Sequence, residues 1–135
     1  MNEKIYQSAP ESAIPKPGTN AYKYLSMIAE SSVISERALM EAFEGRQRGA
    51  LQQLGNETNE YWLIHNVVSL TTGRIFARYL DERHLSGNRD YDAQARLERK
   101  KMLKTVSYIQ AVNEAGRVPK ARKELIAVKE ESAQQ

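Results

Sequence analysis

Few side chains in this sequence can carry reactive chemistry, and their spacing narrows what they could do. The 135 residues include two histidines and no cysteine, which removes thiolate nucleophiles, disulfides and thiolate zinc sites. His65 sits near Trp62, Ser69 and Thr72 with no Glu-x-x-His pair anywhere in the chain, so a ligand or base role lacks its partners and a hydrogen-bonded core histidine is expected. Gly45 to Gly49 reads Gly-Arg-Gln-Arg-Gly, but no Lys-Ser/Thr follows it, so it is not read as a phosphate loop. Serines and acids are scattered without a triad-like grouping. No catalytic residue, metal ligand, cofactor or small-molecule substrate is assigned on these grounds.

One spacing does point to a reaction. A guanidinium can hold a phosphate and an imidazole can move a proton, and Arg78 and His84 are separated by five residues. Arg78-x5-His84 resembles the Arg-x4-6-His signature of the HEPN ribonucleases, all-α domains of similar length that cleave RNA at a dimer cleft. The resemblance covers seven residues and implies that Arg78 would hold the scissile phosphate and His84 would act in proton transfer. The other role open to Arg83 and His84 is as charges in the last turn of a helix, facing water.

The second candidate is electrostatic. Residues 1 to 88 carry nine Lys/Arg against ten Asp/Glu, residues 89 to 123 carry ten against four, and the last twelve carry one against three. The net +3 is therefore a local property of one stretch, in which Arg96, Arg99, Lys100, Lys101 and Lys104 are followed by Arg117, Lys120, Arg122 and Lys123. Arg96, Lys100 and Lys104 recur every four residues, one row on a helix, and such a row suits an anionic partner. No helix-turn-helix or ribbon is identifiable around it, so a solvated or protein-facing surface is preferred to nucleic acid.

The elements that must position these residues read as helices. Asn59 to Leu85 is expected to be a long central helix, because Tyr61, His65, Val68, Thr72, Ile75, Phe76 and Tyr79 share one face at 100° per residue, with Trp62 and Leu80 at its edge. The β-branched residues Ile64, Val67, Val68, Thr71, Thr72 and Ile75 favour the alternative of a strand pair broken near Gly73. On the helical reading Leu63, Val67 and Leu70 form a second apolar stripe which, with Trp62, is the expected oligomer or partner contact.

Residues 1–20, with Pro10, Pro15, Pro17 and Gly18, are expected to be an extended arm. A short helix begins at Asn20, and a second runs from Val33 to Leu54 with Leu39, Phe43, Ala50 and Leu54 repeating and a kink or early end near Gly45. Asp90 or Asp92 caps a long helix to Ala115, and Pro119 starts a last short one before a polar tail at 131–135. The expected architecture is all-α, a compact bundle of four to five helices forming one domain over 21–130. No apolar run reaches the ~20 residues of a membrane span and no signal-peptide core is present, so a cytoplasmic protein is expected. The expected function is non-enzymatic: an accessory, regulatory or assembly subunit, self-associating or bound to a protein partner. The alternatives are a nucleic-acid-associated regulator using 96–123 and an RNA-cleaving enzyme using Arg78 and His84.

Overall fold

A computed structural model describes the backbone of residues 1–114 and the side chains as far as Ile109. The helices are α1 (Glu3–Ser8), α2 (Asn20–Glu30), α3 (Glu36–Phe43), α4 (Gln47–Gly55) and α5 (Arg89–Glu114). Three strands, β1 (Ile34–Ser35), β2 (Ile64–Val68) and β3 (Ile75–Leu80), form an antiparallel sheet in the order β1-β3-β2. Short 3₁₀ turns lie at Glu11–Ala13, Glu57–Asn59 and Glu82–Leu85. The all-α expectation is thus overturned, and the helix expected over Asn59 to Leu85 is a β-hairpin.

The hairpin forms where β-branched residues are densest. In β2 and β3, Ile64 faces Leu80, His65 faces Tyr79, Asn66 faces Arg78 and Val67 faces Ala77, after which an irregularity at Val67/Val68 sets Val68 opposite Ile75. Such side chains lose rotamer freedom in a helix and fit a pleated surface. The turn needs Gly73, which sits at φ +69°, where a side chain would be strained. The Ser69 hydroxyl accepts from the Thr71 and Thr72 N–H groups at 3.3 Å, and the Gly73 N–H donates to the Ser69 carbonyl at 2.8 Å.

Leu63, Val67 and Leu70 consequently share no stripe. Leu63 is buried, Val67 is half-buried in β2, and Leu70 stands in the turn at 105% relative exposure. Trp62 is also buried, its indole N–H donating to the Ala13 carbonyl at 2.9 Å, so it serves the chain's own core.

Residues 1–20 are not an extended arm. Asn2 caps α1 by accepting from the Lys4 N–H, and Ile5, Ala9 and Ala13 enter the main core with Tyr24, Leu25, Ile28, Leu39, Phe43, Leu54, Trp62 and Leu80. The Gly87 N–H donates to the Ser8 hydroxyl at 2.7 Å, fastening α1 to the loop before α5. The prolines do break the helix, as their missing N–H requires, but the apolar residues between them are covered.

Thr19 caps α2 by accepting from the Tyr22 N–H, and Ser35 caps α3 by accepting from the Ala38 N–H. The break expected near Gly45 is present: α3 ends at Glu44 (φ 51°) and Gly45 (φ 82°), and α4 starts two residues later. Asn88 caps α5, its side-chain oxygen accepting from the Asp90 and Tyr91 N–H groups. The expected helix from Pro119 and the tail at 131–135 lie outside the described residues. Among those described, no helix is long and apolar enough to cross a membrane.

Candidate nucleic-acid interface

The ionisable residues singled out in the sequence are largely engaged with one another. His84 is fully buried. Its Nε2 accepts from the Leu63 N–H at 3.0 Å, so the ring proton is on Nδ1 and donates to Asp92 Oδ1 at 2.7 Å. Burial lowers the pKa of this imidazole more than the Asp92 contact raises it. Burial would raise the Asp92 carboxyl, but the hydrogen bonds from His84 and Arg96 outweigh it and hold the group below its ordinary range. Arg78 lies in a different network: its Nε donates to Glu36 Oε2 at 2.8 Å and its Nη1 to the Asn66 side-chain oxygen. The two residues are therefore committed to separate contacts, and the all-α frame that the HEPN resemblance implies is not the one present.

His65 donates to Asp81 Oδ2 at 2.7 Å and stacks on Tyr79, with ring centroids 4.8 Å apart. Asp81 also accepts from the Arg83 guanidinium, which reaches on to Glu98. Burial would raise Asp81, and the hydrogen bonds from His65 and Arg83 override it, leaving the carboxyl far below the ordinary range.

The basic row of α5 is divided. Arg96 is buried: its guanidinium lies 4.0 Å from the Trp62 ring centroid, pairs with Asp92 at 2.8 Å and donates to the Glu60 carbonyl at 2.7 Å. Arg99 donates to the Gly55 carbonyl at 3.0 Å, and desolvation lowers its pKa. Lys100, Lys101 and Lys104 are exposed, with Lys100 Nζ 5.6 Å from the Tyr61 ring centroid. A row in which Arg96 and Arg99 turn inward cannot present the five described cations together to a phosphate track. Arg117, Lys120, Arg122 and Lys123 lie outside the described residues.

A different surface gathers unpaired donors. Helices α3 and α4 are joined by the three residues Glu44 to Arg46, two of them left-handed, so the chain reverses sharply between two short helices. A three-residue turn containing a glycine is the length of connection that a helix-turn-helix uses. Its first helix buries Leu39 and Phe43, and its second buries Gln47, Ala50 and Leu54. The stripe leaves Arg48, Gly49, Gln52 and Gln53 of α4 exposed, with Arg46 exposed in the turn before it. Glu36 fixes the unit on the sheet, since it receives Arg78 from β3 and the Gln47 amide from α4 at 3.4 Å. Elsewhere on the molecule, the turn of the β2–β3 hairpin exposes Leu70, Thr71, Thr72, Gly73 and Arg74. Among the described residues, Arg46, Arg48 and Arg74 make no ion pair, although the exposed Glu44 adjoins this surface.

Sequence reasoning misses this surface. It weighs Gly45 to Gly49 as a phosphate loop and Gly45 as a kink or helix end, but not the Arg and Gln that follow on the free face of an apolar stripe. No protein-family model, curated protein or solved structure matches the chain.

Proposed function

We propose that this protein is a non-enzymatic DNA-binding protein of winged helix-turn-helix architecture, with α4 as the recognition helix and the β2–β3 hairpin as the wing. The observation that carries this reading is the exposed set Arg46, Arg48, Gly49, Gln52 and Gln53 on the second helix of a helix-turn-helix and the turn before it. The major groove admits a helix, and arginine and glutamine suit guanine and adenine edges through paired hydrogen bonds. Gly49 leaves open space where a Cβ would project, so the backbone there can approach a base pair or phosphate closely. This reading takes up the nucleic-acid alternative but moves the contact from the α5 row to α4 and the wing.

Binding to random-sequence duplex pools, followed by sequencing of the bound fraction, tests it. A preferred site should emerge. Arg48→Ala should weaken that site by about 1 to 3 kcal/mol and relax the preference at one position. Arg46→Ala and Arg74→Ala should weaken binding more uniformly and flatten the log–log salt slope by about one unit for each phosphate that is no longer neutralised. Failure of the purified protein to retain any duplex at about 0.1 M salt would remove the reading.

A protein-facing surface remains a second reading on α5, where Leu97 and Tyr108 are 52% and 70% exposed beside Lys100, Lys101 and Lys104. Light scattering that shows a dimer dissociated by Leu97→Lys would support it.

A further inference from the structure

Leu70 is the most exposed large apolar residue described, at 105%, and it stands at the tip of the hairpin. One exposed leucine is ordinary on a protein surface. This one is held out by a turn built around it. The Ser69 hydroxyl accepts from Thr71 and Thr72, the Thr72 hydroxyl accepts from the Arg74 N–H at 3.2 Å, and the Ser69 N–H and Arg74 carbonyl close the hairpin at 2.9 Å. The tip thus carries its own hydrogen bonds, with an apolar side chain flanked by Thr71, Thr72 and the unpaired Arg74. Minor-groove proteins use this combination, an apolar side chain inserted between base pairs and cations at the adjacent phosphates, to unstack one step and kink the duplex.

We propose that Leu70 is a DNA-bending wedge, inserted from the minor groove between two base pairs beside the site read by α4, with Arg74 on the flanking backbone. The proposal rests on the DNA-binding reading above and adds to it a second, mechanical mode of recognition. Pyrimidine–purine steps unstack most easily, so the step under the tip is expected to be TA or CA/TG although no polar group of Leu70 reads a base. Stiff A-tracts at that position should bind less well.

The experiment uses the duplex selected from the random pool, labelled at its two ends for energy transfer, with the full chain as wild type, Leu70→Ala, Leu70→Met and Arg48→Ala. Leu70 is fully exposed, so Leu70→Ala is expected to fold as the wild type does, which its thermal melt checks. Wild type and Leu70→Met should bend the duplex. Leu70→Ala should retain the sequence preference set by α4, bind about tenfold more weakly and leave the duplex nearly straight. Arg48→Ala should bind more weakly but still bend whatever it holds. Equal bending by wild type and Leu70→Ala, or a straight duplex with the wild type, overturns the wedge and leaves the DNA-binding reading in place. If no duplex is enriched from the pool, both fall together. Loss of a co-purifying protein from Leu70→Ala, with DNA binding and bending unchanged, would assign the tip to a protein partner and overturn the wedge.

Discussion

His84 is held neutral because its two ring nitrogens have opposite tasks, one accepting from the Leu63 N–H and the other donating to Asp92. A proton added at Nε2 would break the first contact and place a charge beside the Arg96 guanidinium, which itself lowers the pKa. The folded-state pKa is depressed from the ordinary ~6.5, so below that pH the unfolded chain takes a proton that the folded chain refuses. Stability should therefore fall as pH drops below about 6.5, with no contribution from this group above it. Asp92 and Asp81, whose pKa values are depressed, give stability that is present above about 4 and lost on further acidification. His84→Gln can keep both hydrogen bonds without titrating. Urea midpoints taken at intervals from pH 7.5 to pH 3.5 should show a flatter profile for this variant between about 6.5 and 4.5, with the lower fall retained. Parallel profiles for the two proteins across that window would show that His84 does not titrate differently on folding. Tyr24 offers a second check: its buried hydroxyl has no hydrogen-bond partner among the described residues, and burial pushes its pKa up to about 12. Tyr24→Phe should raise stability by about 1 kcal/mol, since it removes a buried donor that has no partner among the described residues. A thermal melt measures this directly.

The helices legible in the sequence are those whose apolar period coincides with one continuous element. On the expected side of α2, Leu25, Ile28 and Ala29 are buried and Tyr22 is half-buried, and the long helix α5 is present but is capped by Asn88, not by the expected Asp90 or Asp92. The α3–α4 break is half legible, because Leu39, Phe43, Ala50 and Leu54 keep a helical repeat straight through the turn and conceal that two helices share it. The hairpin escapes a periodicity argument because its alternation is faint. All five residues of β2 are half-buried, so no polar face marks period two, and the β-branched content is the only guide. Backbone conformation is a sharper test at this scale. Glu44 ends α3 with φ 51°, a region costly for any residue with a Cβ, and its exposed side chain makes no hydrogen bond among the described residues. Glu44→Gly should raise stability by about 0.5 to 1 kcal/mol, whereas Gly45→Ala at φ 82° should lower it by a similar amount or more. Opposite shifts in melting temperature are the expected result; a stabilised Gly45→Ala would mean the turn is not left-handed there.

Across the molecule, the basic excess and the proposed DNA-contacting surface are in different places. Residues 1 to 88 have one more acid than base, yet they hold α4 and the β2–β3 hairpin, while α5 buries Arg96 and half-buries Arg99. Charge counting therefore directs attention to α5, because it cannot distinguish a guanidinium covering Trp62 from one facing solvent. With Arg46, Arg48 and Arg74 as the unpaired cations of the surface, few phosphates can be engaged, and a shallow salt slope is expected. The amino-terminal segment is part of this same body. Removal of residues 1–13 would take Ile5, Ala9 and Ala13 from the core and the acceptor from the Trp62 indole. At roughly 1.5 to 3 kcal/mol for Ile5 alone, together with a buried N–H left without its partner, the truncated chain should lose its cooperative melt. A sharp thermal transition in that chain would contradict the packing described.

Glu60 and Tyr61 are consecutive left-handed residues without a glycine, at φ 59° and 63°, and the guanidinium of Arg96 donates to the Glu60 carbonyl between them. The chain from Glu44 to Phe76 is synthesised before Arg96 exists. Until α5 emerges, the junction that leads from α4 into the hairpin lacks the clamp that offsets its strain of about 1 to 3 kcal/mol per residue. The proposed DNA-reading parts are thus made early but set last, and a released fragment ending before Arg96 should remain protease-sensitive at residues 56–63. A fragment extended by another few turns of α5 should be protected there, and Arg96→Met should reduce that protection.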